Sequence, residues 1–276
     1  MELNAYSVMK VVILGILEGI TEWLPVSSTG HMLLANEFLR LKMTSEFSEV
    51  FFIVIQLGAV MAVVQLFFKE MIPFRYSDHT MKLDRNTMAI WMKTAVACIP
   101  GAFATIFFDD YIEAHFHTSS VIACMLIIYG IVFIMIEKNA DWQSDEEISF
   151  RTAWKIGLFQ VLSIIPGTSR SGATIIGALL LGVSRVNAAR FTFYLAVPVM
   201  FGMSFLKLLK TGFVFDEAEL VMMLIAMLTA YATSLLCVKK FMSYIRQHDF
   251  RIFGIYRILL GILILFLQYL NLIPTA

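Results

Sequence analysis

Charge is what this sequence has least of. Of 276 residues only 15% are Asp, Glu, Lys or Arg, against about 25% in an ordinary soluble domain. Basic and acidic residues number 21 each, so the formal net charge is zero and no positive excess exists to hold nucleic acid. Cysteine is scarce as well. Cys98, Cys124 and Cys237 lie in apolar runs without metal-ligand spacing, and read as small buried hydrophobes. No glycine-rich P-loop is present, so no nucleotide is expected. The first apolar run lacks a basic flank and passes directly into Glu18 and Glu22, so a cleaved secretion signal is not expected.

What is present is hydrocarbon, with 59% of residues hydrophobic. A helix needs about 20 apolar residues to cross a bilayer. Six stretches qualify: residues 50–68, 89–108, 119–136, 191–209, 220–238 and 253–270. Two further regions, 7–38 and 153–181, are interrupted by polar turns near 25–30 and 166–172. Each reads as a re-entrant hairpin, two helical arms that enter and leave by one face, with proline ending the first arm and small residues forming the turn. Non-helical backbone at that depth requires a surround of protein or a wet cavity. The predicted fold class is an all-α integral membrane protein with six transmembrane helices plus two re-entrant helical hairpins.

Basic residues orient the spans. Lys69, Arg75, Lys82 and Arg85 place the 68–88 connection inside. Asp109, Asp110 and Glu113 follow without Lys or Arg, and read as outside. Lys138, Arg151, Lys155, Arg185 and Arg190 return the chain inside, as do Lys239, Lys240, Arg246 and Arg251. Lys207 and Lys210 dissent, with Asp216, Glu217 and Glu219 close behind. By this count the first polar turn dips from outside and the second from the cytoplasm. Residues 1–139 and 140–276 of the single membrane domain then form an inverted-topology repeat. Such repeats place broken helices and their binding sites near the midplane. Pro25-Val26-Ser27-Ser28-Thr29-Gly30 faintly echoes Pro166-Gly167-Thr168-Ser169-Arg170-Ser171-Gly172.

Polar groups in these turns are expensive in hydrocarbon and read as functional. Glu18 and Glu22 share a helix face, where two close carboxylates must share a proton, pair with a cation or bind a metal. A surface pair at a helix start is the plainer reading, but apolar residues flank both sides. Ser27, Ser28 and Thr29 precede Gly30 and His31. Hydroxyls cap helices well, yet capping needs neither an imidazole nor two glutamates. Turn N–H groups can face an anion, and a hydroxyl beside an imidazole can be an activated nucleophile. Arg170 matches phosphate oxygens with its fork and could equally bridge Glu18 or Glu22. Gln56, in mid-span, is expected to bond across helices, with a site role as the alternative. Gln160, Asn36 and Tyr194 are weaker candidates. His79, His115 and His117 fall in loops, and His248 follows a basic stretch. Together the groups point to phosphoryl chemistry on an amphiphilic substrate.

These segments, Glu18 through His31 and Pro166 through Gly172, with Gln56-Leu57-Gly58 and Phe191 through Pro198, resemble the bacterial undecaprenyl-diphosphate phosphatase family of the bacitracin-resistance type. Met32 after the histidine is a minor departure. The resemblance implies a multi-pass protein of the bacterial inner (plasma) membrane with its site toward the outer face. It implies hydrolysis of the C55 isoprenyl diphosphate lipid to the monophosphate, recycling the carrier of peptidoglycan precursors and conferring bacitracin resistance. Carried over residue by residue, Glu18 and Glu22 resemble the essential acid pair, and as hard oxygen ligands they would hold the divalent cation the resemblance implies, Mg²⁺ or Ca²⁺. Ser28 resembles the nucleophile, beside Ser27 and Thr29. His31 resembles the general base or acid, or itself the nucleophile, and Ser169 and Arg170 resemble the pyrophosphate-holding pair. Thr168 and Ser171 join the substrate-binding set with Gln56. A homodimer remains open. The rival class is a transporter or flippase of a phosphorylated isoprenyl lipid, since inverted repeats with broken hairpins are a transporter layout. A non-catalytic scaffold would tolerate changes at Glu22, Ser28, His31 and Arg170.

Overall fold

The computed structural model describes residues 4–39, 41, 43–77, 80–138, 148–211 and 215–274. His79 and the expected boundary between residues 139 and 140 lie outside them. Two short helix pairs stand where polar turns interrupt the apolar pattern. The first is α1 (Ala5–Thr21) and α2 (Ser28–Leu39). Asn4 caps α1, its Oδ1 accepting from Ser7 N at 2.8 Å. The second, after α3 (Ser45–Leu66), α4 (Phe68–Met71), α5 (Arg85–Phe116) and α6 (Ser119–Lys138), is α7 (Phe150–Val161) and α8 (Arg170–Leu180). A 3₁₀ turn at Leu162–Ile164 ends α7. Helices α9 (Arg185–Thr211), α10 (Glu217–Ile245) and α11 (Arg251–Tyr269) complete the chain.

Five helices, α5, α6, α9, α10 and α11, are long and apolar enough to cross a membrane. The expected span at 50–68 appears as α3, whose apolar stretch Val50–Leu66 is shorter. This is a mostly helical, multi-pass membrane protein. Helix α5 outruns the expected 89–108, so Asp109, Asp110, Glu113 and His115 are helical. His115 is in its last turn, its Nδ1 donating to Tyr111 O at 2.8 Å, rather than in a loop. A helix satisfies its own backbone in water as in lipid, so the end of the apolar run need not end it. The 68–88 connection also holds a small hairpin, β1 (Phe74–Ser77) with β2 (Thr80–Leu83). Its alternation, Phe-Arg-Tyr-Ser and Thr-Met-Lys-Leu, is the period of a strand.

Helix α1 packs on α10 and α7 on α5, while α3 meets α9 and α6 meets α11. At the last crossing the backbones nearly touch. A Cβ added at Gly130 would lie 2.6 Å from Gly254 O, and one added at Gly254 would lie 2.7 Å from Gly130 O. Small residues permit such approach, which gives lipid-embedded helices their contact. Trp23, fully buried beside the first turn, meets Phe193 edge-on with ring centroids 5.3 Å apart.

Charges gather at the helix ends. Arg190 bonds Glu70 at 2.6 Å, and Arg185 holds Glu137, which also accepts from Phe250 N at 3.1 Å. Lys210, dissenting in the charge count, pairs with Asp110 at 3.4 Å. Cysteines depart from expectation: Cys124 is exposed, and Cys98 and Cys237 are half-buried. On a helix whose outer face is apolar, a thiol turned outward loses little.

Candidate functional site

Both polar turns end on a strained serine. Ser27 and Ser169 each have φ 71°, and each stands immediately before a helix, α2 or α8. A non-glycine residue in this region costs on the order of 1–3 kcal/mol and needs surrounding structure to hold it. His31 Nδ1 donates to Ser27 O at 2.7 Å. Ser169 Oγ accepts from Gly172 N at 3.1 Å, capping α8. Gly167 has φ 90°, and a Cβ there would lie 2.6 Å from Ile122 O of α6, so only glycine fits.

The two turns meet at one carboxylate. Ser28 Oγ donates to Glu22 Oε2 at 2.9 Å, and Arg170 Nη2 donates to Glu22 Oε1 at 3.1 Å. Arg170 is fixed further by Nη1, which donates to Thr192 O at 3.2 Å, while its buried Nε has no partner among the described residues. Ser171 Oγ donates to Glu22 O at 3.2 Å and lies 3.1 Å from Ser169 Oγ. Thr174 of α8 lies 2.9 Å from Thr192 Oγ1.

Beside this junction lies a cavity of about 340 Å³. Of the residues singled out in the sequence, Glu22, Ser28, Thr29, Gln56, Ser169 and Arg170 line it, as does Gln160. Gln56 therefore takes a place at the cavity. Glu18, Ser27, His31, Thr168 and Ser171 are buried and do not line it. Glu18 lies against Glu22, and its Oε1 has no partner among the described residues. His31 is committed at both nitrogens: with Nδ1–H given to Ser27 O, its Nε2 accepts from Tyr256 O–H at 2.6 Å. Much of the remaining lining is apolar, Ile106, Met203 and Leu206 among it, with Asp109 beside them. A cavity lined by Arg170 and Ser28 together with many apolar side chains suits an anion carried on an apolar tail.

Sequence reasoning missed Tyr256, Arg257 and Thr192. Arg257 had a signal, since an arginine inside the 253–270 run is an intramembrane charge of the kind that marks a site. Thr192 contributes a backbone carbonyl, for which no residue type is required.

Among the described residues no three His, Cys, Asp or Glu side chains gather as a metal site. The acid pair fits a cation only as a two-carboxylate platform. Glu18 Oε1 is an orphaned buried acceptor, and both Glu22 oxygens are already bonded. Mg²⁺ is often held this way, by one or two carboxylates with water and phosphate completing its shell.

Known proteins resemble this chain over nearly its whole length. The family model described as bacitracin resistance protein BacA matches residues 11–263. The chain is 56% identical over 271 residues to an undecaprenyl-diphosphatase of Enterococcus faecalis, covering 96% of this chain and 98% of that protein. It is 50% identical to one of Desulfitobacterium hafniense, covering 94% and 95%, and 52% identical to one of Lachnoclostridium phytofermentans, covering 93% and 95%. A model that spans both polar turns and nearly every helix places the chain in the bacitracin resistance protein BacA family.

Proposed function

We propose that this protein hydrolyses C55 isoprenyl diphosphate to the monophosphate and inorganic phosphate, which recycles the lipid carrier of peptidoglycan synthesis and confers bacitracin resistance. One observation carries the chemistry: Glu22 accepts from Ser28 through one oxygen and from Arg170 through the other, at the edge of a cavity. A hydroxyl bonded to a carboxylate is a nucleophile with its base in place. Arg170 orients that base by donating to Glu22 and to Thr192 O.

In this mechanism Ser28 Oγ attacks the terminal phosphorus in line and gives its proton to Glu22. The P–O bond to the bridging oxygen breaks, and the lipid monophosphate leaves. Water then attacks the phosphoserine, releasing phosphate and restoring Ser28. Arg170 and the N–H groups that begin α2 and α8 stabilise charge on the equatorial oxygens. His31, held between Ser27 and Tyr256, fixes the turn that aims Ser28. A divalent cation, held by Glu18 and Glu22 with water, would screen the phosphate charges.

We further read the architecture as six spans, counting α3, plus two re-entrant hairpins in an inverted repeat. Supporting this, α1 on α10 and α7 on α5 are matching pairs, and Ser27 and Ser169 share one φ. The site then opens to the outer face of the inner membrane, the side of Asp110 and Lys210. The transporter reading is not favoured, because relatives matching nearly the whole chain are named for a diphosphatase.

Purified protein in detergent should release phosphate from C55 diphosphate, and Ser28→Ala should cut that rate by about a thousandfold or more. EDTA should abolish turnover and Mg²⁺ restore it. Lipid movement in proteoliposomes without phosphate release would refute the hydrolase.

A further inference from the structure

Arg257 is fully buried in α11, inside an apolar run. No ion pair among the described residues involves it. Its acceptors are backbone carbonyls from three separate segments. Nη1 donates to Pro25 O at 3.2 Å, in the first turn. Nη2 donates to Gly167 O at 2.9 Å and Thr168 O at 3.0 Å, in the second, and lies 3.5 Å from Met125 O of α6. The Tyr129 ring is 5.6 Å from the guanidinium carbon.

An unpaired buried cation is costly unless something offsets it. Here the offset is dipolar. The first arm of each hairpin, α1 and α7 with its 3₁₀ turn, runs toward the site and brings the negative end of its dipole to the turn. Carbonyls past a helix end lack an intrahelical partner and need donors. One planar fork supplies both turns, which the single nitrogen of lysine cannot do in the same geometry. The second arms, α2 and α8, leave with their positive ends at Ser28 and Arg170. One guanidinium therefore meets both arriving dipoles.

We infer that Arg257 is a positioning residue, the bolt that sets the two turns in register so that Ser28 and Arg170 reach the same Glu22. The inference rests on the proposed reaction at that carboxylate. Arg257 does not line the cavity, so it acts through the turns and touches no substrate. The preceding residue, Tyr256, holds the first turn independently through His31 and Ser27. Helix α11 thus reaches the first turn through two residues, Tyr256 and Arg257, and the second through Arg257 alone.

The test is Arg257→Lys, purified beside wild type and assayed for phosphate release from C55 diphosphate, with thermal unfolding and size-exclusion elution in the same detergent. A misplacement of about 1 Å is worth about 100-fold in rate. The variant should stay folded, with kcat lowered about 100-fold and KM within about threefold, since a lost arrangement of the reacting groups falls on kcat. Should it fail to fold, Arg257→Met, which removes the buried charge along with its bonds, takes its place with the same expectation. A folded variant with wild-type kcat overturns the inference. So does a variant whose loss lies in KM alone, or failure of both variants to fold, which would make Arg257 a folding residue. Wild-type protein that releases no phosphate would refute the hydrolase reading, an outcome distinct from an active wild type with an equally active variant.

Discussion

Glu22 and Arg170 are 148 residues apart in the chain and are joined by a single hydrogen-bonded ion pair of 3.1 Å. Their side chains are nearly buried, at 8% and 11% exposure, so this pair differs from the surface bridges that contribute little. Removing one partner would leave a buried charge uncompensated. The pair also links the two polar turns, and with Ser28 on the other carboxylate oxygen it makes one hydrogen-bonded unit, the one to which the proposed mechanism gives the roles of base, nucleophile and anion-binding donor.

Arg170→Lys keeps the charge and loses the fork. Lysine's single nitrogen cannot reproduce the planar fork that spans Thr192 O and Glu22. Phosphate release should fall by about 100- to 1,000-fold, the range seen when one donor to a developing anion is removed. Turnover within about threefold of wild type would show that only charge matters there.

Tyr256→Phe removes the O–H that His31 Nε2 accepts and leaves the bond to Ser27 intact. A lost hydrogen bond of this kind is worth about 1 kcal/mol. Thermal unfolding should register that loss, while turnover stays within about tenfold of wild type and the pH–rate profile keeps its shape. A thousandfold loss would return His31 to a chemical role.

Gly130→Ala and Gly202→Ala test packing in opposite directions. The first puts a methyl 2.6 Å from Gly254 O, whereas the second meets nothing within 4 Å. Overpacking costs about 1–3 kcal/mol, so Gly130→Ala should lower the unfolding midpoint in detergent. Gly202→Ala should leave it unchanged or raise it slightly, since alanine is the better helix former. Because Gly202 lines the cavity, its KM for long-tailed substrates is the quantity to measure.

Asp249 lies between α10 and α11, and Arg251 Nε donates to its Oδ2 at 2.7 Å. That hydrogen bond, with the backbone N–H of Arg251 and the nearby guanidinium charges, holds the Asp249 carboxyl below the usual range. A depressed folded-state value stabilises the fold above the unfolded value and loses that contribution as pH falls through the folded one. Asp249→Asn should therefore show a smaller drop in unfolding temperature than wild type as pH falls from about 5 to about 3. An equal drop would mean that Asp249 adds no stability.

Residue order alone makes this a membrane protein and marks the two places where its helices break. Composition and run length dictate membrane helices, and proline, glycine and hydroxyl residues at 25–30 and 166–172 dictate the breaks. Those are local facts, set by a few neighbouring residues and the cost of polar groups in lipid. Which polar groups share a cavity and which bond to the turns depends on how distant helices pack. Glu22, Ser28 and Arg170 converge, while His31, a good nucleophile by residue type, is bound at both nitrogens by Ser27 and Tyr256. Arg257 reads from sequence as an isolated charge. Its task depends on where the carbonyls of Pro25, Gly167 and Thr168 come together, which is settled by how helices from both halves of the chain pack.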